Sequence, residues 1–363
     1  MYSTLNHYVF KAISLGVLLA IAIFLSVDVL IGFISQVNVV GRGDFTIGSA
    51  VFYTLLTIPH SIYQNFPVSS VVGIMLGLGA MAANSELVVI QSSGVSRMKV
   101  AAIAVSTLLV WLLPMTLMGE FVVPPAKLLA ESYRATKLNK DVGLGVNSGV
   151  WIRDGNIVFN ATPVGSGYDE KSKNIVMNNV TVYELDEKLR VIKVSKAEKA
   201  THKQDSWELQ NIEVTEFVET GVVTKTIDWQ LWPSRIEPEI LGITRSRPKN
   251  LSIRDIVKYK NFQENKEHIP IKYDIALWSK LTYPFLVIAT ALTGLPFLFG
   301  LLRSGGFGQR LLIGIMLGIV FNLINRTLLN MGEVFNMHPA VVTVLPSAFI
   351  VGISLWILKL QNR

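Results

Sequence analysis

The stretch AISLGVLLAIAIFLSVDVLIGFI, residues 12–34, decides the fold class of this chain. It is 23 residues long, and its one charged side chain is Asp28. A helix crosses the hydrocarbon core of a bilayer in about 20 residues, at a rise of about 1.5 Å per residue. The apolar core of a cleavable signal peptide is shorter, about 7–15 residues. The stretch therefore predicts an uncleaved first transmembrane helix.

Further apolar segments of the 363-residue chain support the same interpretation, which makes six predicted spans. They are residues 66–83, 100–119 and 281–302, a segment after Arg310, and residues 340–358. Arg326 follows Arg310 so closely that the segment between them, about 23 Å as a helix, is too short for a core of about 30 Å. The fifth helix must therefore continue past Arg326, through Leu329.

Lysine and arginine in the short loops predict the orientation of these spans. With a cytoplasmic N-terminus the inner flanks carry seven of these residues, and the outer short loops carry only Arg42 and Arg326. Both termini are then cytoplasmic, and Arg326 lies in the outer half of the membrane. A charge at that depth faces a cavity or a partner, or reaches the surface. Asp28, also in an outer half, is a possible counter-charge.

The composition excludes several classes of function. The net charge of +7 comes largely from residues that flank apolar segments, so it does not indicate a nucleic-acid surface. There is no cysteine for a disulfide or a thiolate metal site. The sequence contains no P-loop, GxSxG or HExxH motif, and its five histidines are scattered. We therefore expect no catalytic residue, no metal and no cofactor, and predict that the chain is not an enzyme.

The central part of the chain, residues 124–272, has a different pattern. Short segments rich in β-branched residues alternate with turn formers such as Gly165-Ser166-Gly167. This pattern predicts an antiparallel all-β domain, as a sandwich, jelly roll or open barrel, on the outer side of the membrane. Ser252 and Asp255 then resemble a capping box that opens a short helix through Phe262. The predicted strands cover residues 150–152, 156–159, 175–183, 190–194, 207–217 and 222–231.

The loop between spans two and three, residues 85–94, is the strongest functional candidate. Ser85 can cap a short helix, Glu86 suits its positive end and Gly94 can end it. A helix this short is not stable alone. Its apolar residues then either lie against lipid headgroups or dock into a partner; they are Leu87, Val88 and Ile90.

Small residues recur in two of the predicted spans. The pentapeptide GIMLG occurs at residues 73–77 and again at 314–318, and both copies match the GxxxG pattern. This pattern lets two helices approach closely. Five shared residues are too few for an internal repeat, so we predict ordinary helix packing.

Taken together, these residues resemble the LptF/LptG family of lipopolysaccharide export permeases. The resemblance covers most of the chain and is strongest in its first half. It rests there on Tyr53-Thr54-Leu55-Leu56, Phe66-Pro67, Gly77-Leu78-Gly79, Ser85-Glu86-Leu87-Val88-Val89 and Ser93-Gly94. Later it rests on Gly119-Glu120, Tyr133-Arg134-Ala135, Trp151, Asp154-Gly155, Trp278-Ser279-Lys280, Phe299-Gly300 and Leu302-Arg303.

The resemblance implies a six-helix permease of the Gram-negative inner membrane with a periplasmic β-jellyroll. Residues 1–123 would hold spans one to three, 124–272 the jellyroll and connecting helix, and 273–363 spans four to six. The permease would pair with an LptF-like sister on a cytoplasmic LptB-like ATPase dimer, and act with a single-span LptC-like partner and an LptA-like bridge protein. Its cargo would be lipopolysaccharide or lipooligosaccharide. The coupling helix would dock into the ATPase through Glu86, Leu87, Val88 and Ile90.

Spans one and five would line the cavity for the lipid, which makes Asp28 and Arg326 candidate lipid-binding residues together with Arg42 and Arg134. Family members often carry several lysines just outside span one, where this chain has only Arg42. Recognition of lipid phosphates would then depend on other cations. Two alternatives remain open: a permease of another lipid- or lipoprotein-exporting system, and a membrane scaffold that transports nothing.

Overall fold

A computed structural model describes residues 2–138, 150–154, 156–169, 174–186, 190–203, 206–218, 221–232, 247–263, 270–299 and 307–361. The chain divides into two compact units. We call residues 1–40, 47–130 and 270–363 the membrane unit, and residues 41–46 and 131–269 the inserted unit.

The described helices follow the order of the predicted spans. They are α1 Tyr2–Val37, α2 Ile47–Ala83, α3 Glu86–Ser92, α4 Arg97–Leu117, α5 Val123–Leu138, α6 Ile253–Gln263, α7 Ile271–Leu281, α8 Tyr283–Phe299, α9 Phe307–Val334 and α10 Pro339–Gln361. Within the described residues, five helical segments are long and apolar enough to cross a membrane, or six if the bent pair α7 and α8 forms one span. The predicted helical membrane architecture is confirmed, and α9 continues past Arg326 as expected.

Span two begins earlier than the sequence predicted. Helix α2 runs without interruption from Ile47, with Pro59 and Pro67 inside it. Proline lacks the N–H that would bond to the carbonyl four residues earlier, which for Pro67 is the carbonyl of Tyr63. The hydroxyl of Tyr283 donates to that oxygen at 2.9 Å. A neighbouring helix thus satisfies the group that proline leaves free, as is common in membrane helices.

Span three carries a feature that the sequence did not predict. A π-helical turn, Met118–Val122, joins α4 to α5. The N–H of Val123 bonds to Met118 O, five residues back. In this i to i+5 pattern the carbonyl of Gly119 would accept a hydrogen bond from the N–H of residue 124. Residue 124 is proline, which has no N–H, so that bond cannot form. The ammonium of Lys280 donates to this carbonyl at 2.9 Å and to Glu120 Oε2 at 3.2 Å.

The described part of the predicted span four, residues 281–302, is the single helix α8, and a short helix that the sequence did not predict, α7, precedes it. Helices α7 and α8 meet at an angle of 61°. The break lies at Thr282, whose N–H and hydroxyl both bond to the carbonyl of Trp278 and so close the last turn of α7. Residues 300–306, with the end of the predicted span and Leu302-Arg303, lie outside the described residues.

Helix α2 is the centre of the membrane unit. In the most apolar 18-residue window of α2, 78% is buried within the chain. The corresponding windows of α1 and α9 are only 11% and 17% buried. Both GxxxG motifs pack at this helix, which confirms the packing interpretation. A Cβ on Gly73 or Gly77 would lie 2.5–2.6 Å from backbone atoms of α1, and one on Gly314 or Gly318 would lie 2.9 Å from side chains of α2.

The inserted unit contains a six-stranded antiparallel sheet, which confirms the predicted all-β character. The strands are β1 Val150–Asp154, β2 Ile157–Asp169, β3 Asn174–Leu185, β4 Val191–Lys203, β5 Ser206–Val218 and β6 Gly221–Trp232. They pair in sequence order, so the described strands form a meander without a Greek-key crossover. The predicted turn at Gly165–Gly167 instead lies within β2, where the register shifts between Thr162 and Gly167 as at a β-bulge.

One side of the sheet is packed. Phe159, Trp207 and Ile212 are fully buried, and the Phe159 ring stacks on Trp232 with centroids 5.2 Å apart. The last strand, β6, is exposed along almost its whole length.

The capping box before α6 is confirmed: Asp255 N–H donates to Ser252 Oγ at 3.0 Å, and Ser252 donates to the Asp255 carboxylate.

Candidate functional site

Helix α3, between α2 and α4, forms the candidate site. Its seven residues run from Glu86 to Ser92. Two residues later Gly94, with φ of +89°, turns the chain. Positive φ is costly for a residue with a Cβ, so the expected role of Gly94 is confirmed. Ser85 does not act as expected, because its side chain makes no cap bond. It lies at φ of +60°, and its carbonyl accepts the N–H groups of Val88 and Val89.

The apolar residues of α3 lie on two opposite sides of the helix. Leu87 is buried within the core cluster of the membrane unit, and Ile90 packs against this cluster. Val88 and Val89 point outward, with 52% and 63% of their surface exposed. Residues three apart share one side of a helix. Leu87 and Ile90 therefore hold α3 to its own chain, and Val88 and Val89 form its free apolar surface.

The sequence predicts docking through the apolar residues Leu87, Val88 and Ile90 and does not single out Val89. The structure places Leu87 and Ile90 inward and adds Val89 to the exposed surface. The spacing of Leu87 and Ile90 could have indicated this burial. Residues three apart lie on one side of a helix, where they can pack together against the rest of the chain. Met98, at the start of α4, is also exposed nearby in sequence.

Glu86 is the charged group of the site. One carboxylate oxygen accepts a hydrogen bond from the hydroxyl of Tyr8 at 2.8 Å, and the other faces Asn84 Nδ2 at 3.4 Å. Tyr8 belongs to α1, 78 residues away in sequence. Sequence reasoning missed Tyr8, because nothing local marks a contact over such a separation.

The four candidate lipid-binding residues divide between the two units. Asp28 and Arg326 belong to the membrane unit, in α1 and α9. Asp28 accepts a hydrogen bond from Asn65 Nδ2 at 2.6 Å, and Arg326 is exposed. In the described part of the chain the two form no ion pair, so the possible counter-charge role of Asp28 toward Arg326 is replaced by a bond to an uncharged amide.

Arg42 and Arg134 belong to the inserted unit. The segment 41–46 lies against the last turn of α5, where Asp44 N–H donates to the carbonyl of Lys137 at 2.8 Å. Arg42 is exposed and Arg134, one turn before Lys137, is half-buried. The structure thus brings the segments that carry both arginines side by side. Among the described residues, no cluster of three or more His, Asp or Glu side chains could hold a metal ion.

Apolar spans, an inserted antiparallel sheet and a short exposed helix between two spans define a class: polytopic membrane proteins with an inserted β domain. The chain belongs to the family of lipopolysaccharide export system permeases LptF/LptG, which it matches over residues 7–360. It is 30% identical over 368 residues to the lipopolysaccharide export system permease protein LptG of Escherichia coli K12, with 99% of each chain covered. It is 28% identical over 361 residues to the protein of that name from Haemophilus influenzae, again with 99% of each chain covered.

Proposed function

We propose that this chain is one permease subunit of an ABC transporter that extracts lipopolysaccharide, or lipooligosaccharide, from the inner membrane and passes it to a periplasmic bridge. Membership of the LptF/LptG family over nearly the whole chain supports lipopolysaccharide as the substrate. The observation that carries the mechanism is the apolar surface of Val88 and Val89 on α3, which the chain itself leaves uncovered.

Lysines and arginines of the short loops support the orientation, with both termini and α3 in the cytoplasm and the inserted unit in the periplasm. The chain has no cysteine, so a single introduced one reports its own location. We expect a membrane-impermeant maleimide to label cysteine at Val222, in the exposed strand β6, from the periplasmic side. Labelling from the cytoplasmic side instead would contradict this orientation.

ATP hydrolysis takes place in a separate cytoplasmic LptB-like dimer, since this sequence contains no P-loop. Helix α3 docks into that ATPase through Val88 and Val89, with the Glu86 carboxylate beside them. An exposed apolar pair on a short helix fits a helix-in-groove interface, in which the partner removes the pair from water. Each fully buried valine contributes about 1.5 kcal/mol or more to such an interface.

Aspartate at both Val88 and Val89 is expected to abolish co-purification of the ATPase. Two charges would replace the surface that the partner buries, and an uncompensated charge in an interface is costly. Because both side chains are exposed, the fold of the membrane unit should not change. The measurement is the amount of ATPase recovered with the affinity-tagged chain.

Val222→Asp is the matched control for this experiment. It introduces one aspartate at another exposed valine, far from α3 in sequence. The ATPase should co-purify with this variant as with the wild type. Normal ATPase recovery with the Val88/Val89 variant would show that α3 is not the docking helix.

The lipid enters between this chain and an LptF-like sister permease. Helices α1 and α9 support this route, because little of their apolar surface is buried within the chain. In a bilayer such surfaces contact lipid or another subunit. Asp28 and Arg326 belong to these two helices and remain candidate contacts for the lipid headgroup, with Arg42 and Arg134 as further candidates at the inserted unit.

The acyl chains must stay in apolar surroundings throughout. Exposing roughly 50 methylenes to water would cost on the order of 40 kcal/mol, at about 0.8 kcal/mol each. One nucleotide cannot offset this in a single step, so the inserted unit would receive the chains in an apolar groove. The LptC-like partner and the LptA-like bridge would continue that surface.

Depletion of this chain in its own organism tests the proposal. Newly synthesised, radiolabelled lipopolysaccharide should accumulate in the inner membrane and stop reaching the cell surface. Normal arrival of this lipopolysaccharide at the cell surface would contradict the proposal and favour a scaffold role. Accumulation of lipoproteins in its place would favour the alternative export system.

A further inference from the structure

Helix α3 is held to the membrane unit at two places of different character. Leu87 and Ile90 pack into the apolar core, which also contains Val9 and Ile13 of α1. On the polar side, the hydroxyl of Tyr8 donates to Glu86 Oε2 at 2.8 Å. The apolar contacts fix the depth of the helix but are not directional. The hydrogen bond has a direction, so it fixes which way the Glu86 carboxylate points.

The Tyr8 ring is half-exposed, at 51%, so its contribution to the core is limited. Its hydroxyl nevertheless meets a carboxylate on a different element, and a hydrogen bond to a charged group is stronger than one between neutral groups. Asn84 faces the other carboxylate oxygen only at 3.4 Å. Among the described residues Tyr8 is therefore the closer of the two donors to the Glu86 carboxylate, and it leaves the second oxygen accessible for a partner.

Tyr8 also connects α3 to a particular span. Helix α1 has 11% of its most apolar window buried, the smallest share among the described spans, although its beginning packs closely on α2. Its buried residues lie mainly toward its beginning, at Val9, Ile13, Val17 and Ala20. A force applied to α3 that passed through the core would act on α1 and α2 together, because both helices contribute residues to it. A force that passes through the Tyr8 hydroxyl reaches the beginning of α1.

We propose that Tyr8 is a positioning residue that orients the Glu86 carboxylate and transmits displacement of α3 directly to α1. This inference rests on the proposed function, since it assigns the route by which an ATPase docked on α3 acts on the membrane unit. Tyr8 does not itself bind the ATPase or the lipid. Its hydroxyl acts only through Glu86.

The experiment uses proteoliposomes that contain the full complex with its co-purified ATPase, purified lipopolysaccharide and the bridge protein as acceptor. The quantity measured is lipopolysaccharide transferred per ATP hydrolysed. For Tyr8→Phe, which keeps the ring and removes the hydroxyl, we expect this ratio to fall roughly three- to tenfold, as for the loss of one hydrogen bond of ordinary net strength. Recovery of the ATPase with the chain should not change.

Ser14→Ala is the matched control. Ser14 is on α1 and accepts a hydrogen bond from Trp111 Nε1 of α4 at 3.1 Å, so this variant also removes one side-chain bond of α1 without touching α3. Its transfer ratio should stay within twofold of the wild type. An equal loss in both variants would show a general weakening of α1 and overturn the inference.

A double-mutant cycle tests whether Tyr8 acts through Glu86. In a Glu86→Gln background, Tyr8→Phe should cause little further loss. A double variant that loses the product of the two single effects overturns the inference. Independently of any partner, the ¹⁹F resonance of 3-fluorotyrosine at position 8 should shift on Glu86→Gln in the chain alone, and an unchanged resonance would show that the contact does not form.

Failure of the inference and failure of the proposed function are distinguishable. If the wild-type complex transfers lipopolysaccharide and Tyr8→Phe matches it, only the inference is overturned. If the wild-type complex recovers no ATPase or transfers no lipopolysaccharide, the proposed function fails and the inference fails with it.

Discussion

Alanine at position 16 is expected to destabilise the membrane unit by about 3 kcal/mol, the largest effect of any single methyl group that we predict. Helix α1 crosses α2 at this glycine. A Cβ built on Gly16 would lie 2.3 Å from the carbonyl oxygen of Gly73 and 3.0 Å from the amide nitrogen of Gly77. Both are backbone atoms, so the contact can be relieved only by separating the two helices along their length.

Gly32→Ala in the same helix is the control. Its Cβ would meet Thr54 Cγ2 at 3.9 Å, an ordinary contact. Alanine has a higher helix propensity than glycine, by about 0.8–1.0 kcal/mol. The two substitutions are therefore expected to change stability in opposite directions. Thermal unfolding of the detergent-solubilised chain measures both, and a similar melting temperature for the two variants would show that the close crossing does not form.

Methionine in place of Lys280 is expected to cost about 3 kcal/mol, the second large effect. The Lys280 side chain is 9% exposed, and that of its partner Glu120 is 22% exposed. Removing the ammonium deletes the ion pair with the Glu120 carboxylate at 3.2 Å. It also removes the donor to the Gly119 carbonyl, which the π turn and Pro124 leave without a backbone N–H. Breaking a buried pair from one side costs far more than the pair contributes as a whole.

Lys225→Met on the sheet is the matched control. Its ion pair with Glu216 is shorter, at 2.8 Å, but the two side chains are 50% and 35% exposed. Exposed pairs contribute little to stability, because water screens them. The same unfolding measurement should therefore show a small change for Lys225→Met and a large one for Lys280→Met. Equal changes would contradict the assignment of Lys280 to a buried role.

The candidate site was only partly predictable from sequence. The loop after span two, the helix at Glu86 and its end at Gly94 follow from local chemistry, because caps and helix ends depend on neighbouring residues. The direction of each apolar side chain depends on what lies beneath the helix. Leu87 was therefore predicted to dock and is buried, and Val89 was not predicted and is exposed.

The sequence by itself determined the spans, the all-β insertion and the motifs of the family. Apolar length and alternation act within one segment, so they can be read without knowing its neighbours. Only the tertiary structure decided that Gly16 meets Gly73, that Lys280 reaches Gly119 and that Tyr8 reaches Glu86. These pairs are far apart in the chain, and no local propensity selects them. They depend on how the helices cross, which is settled by the packing of the whole unit.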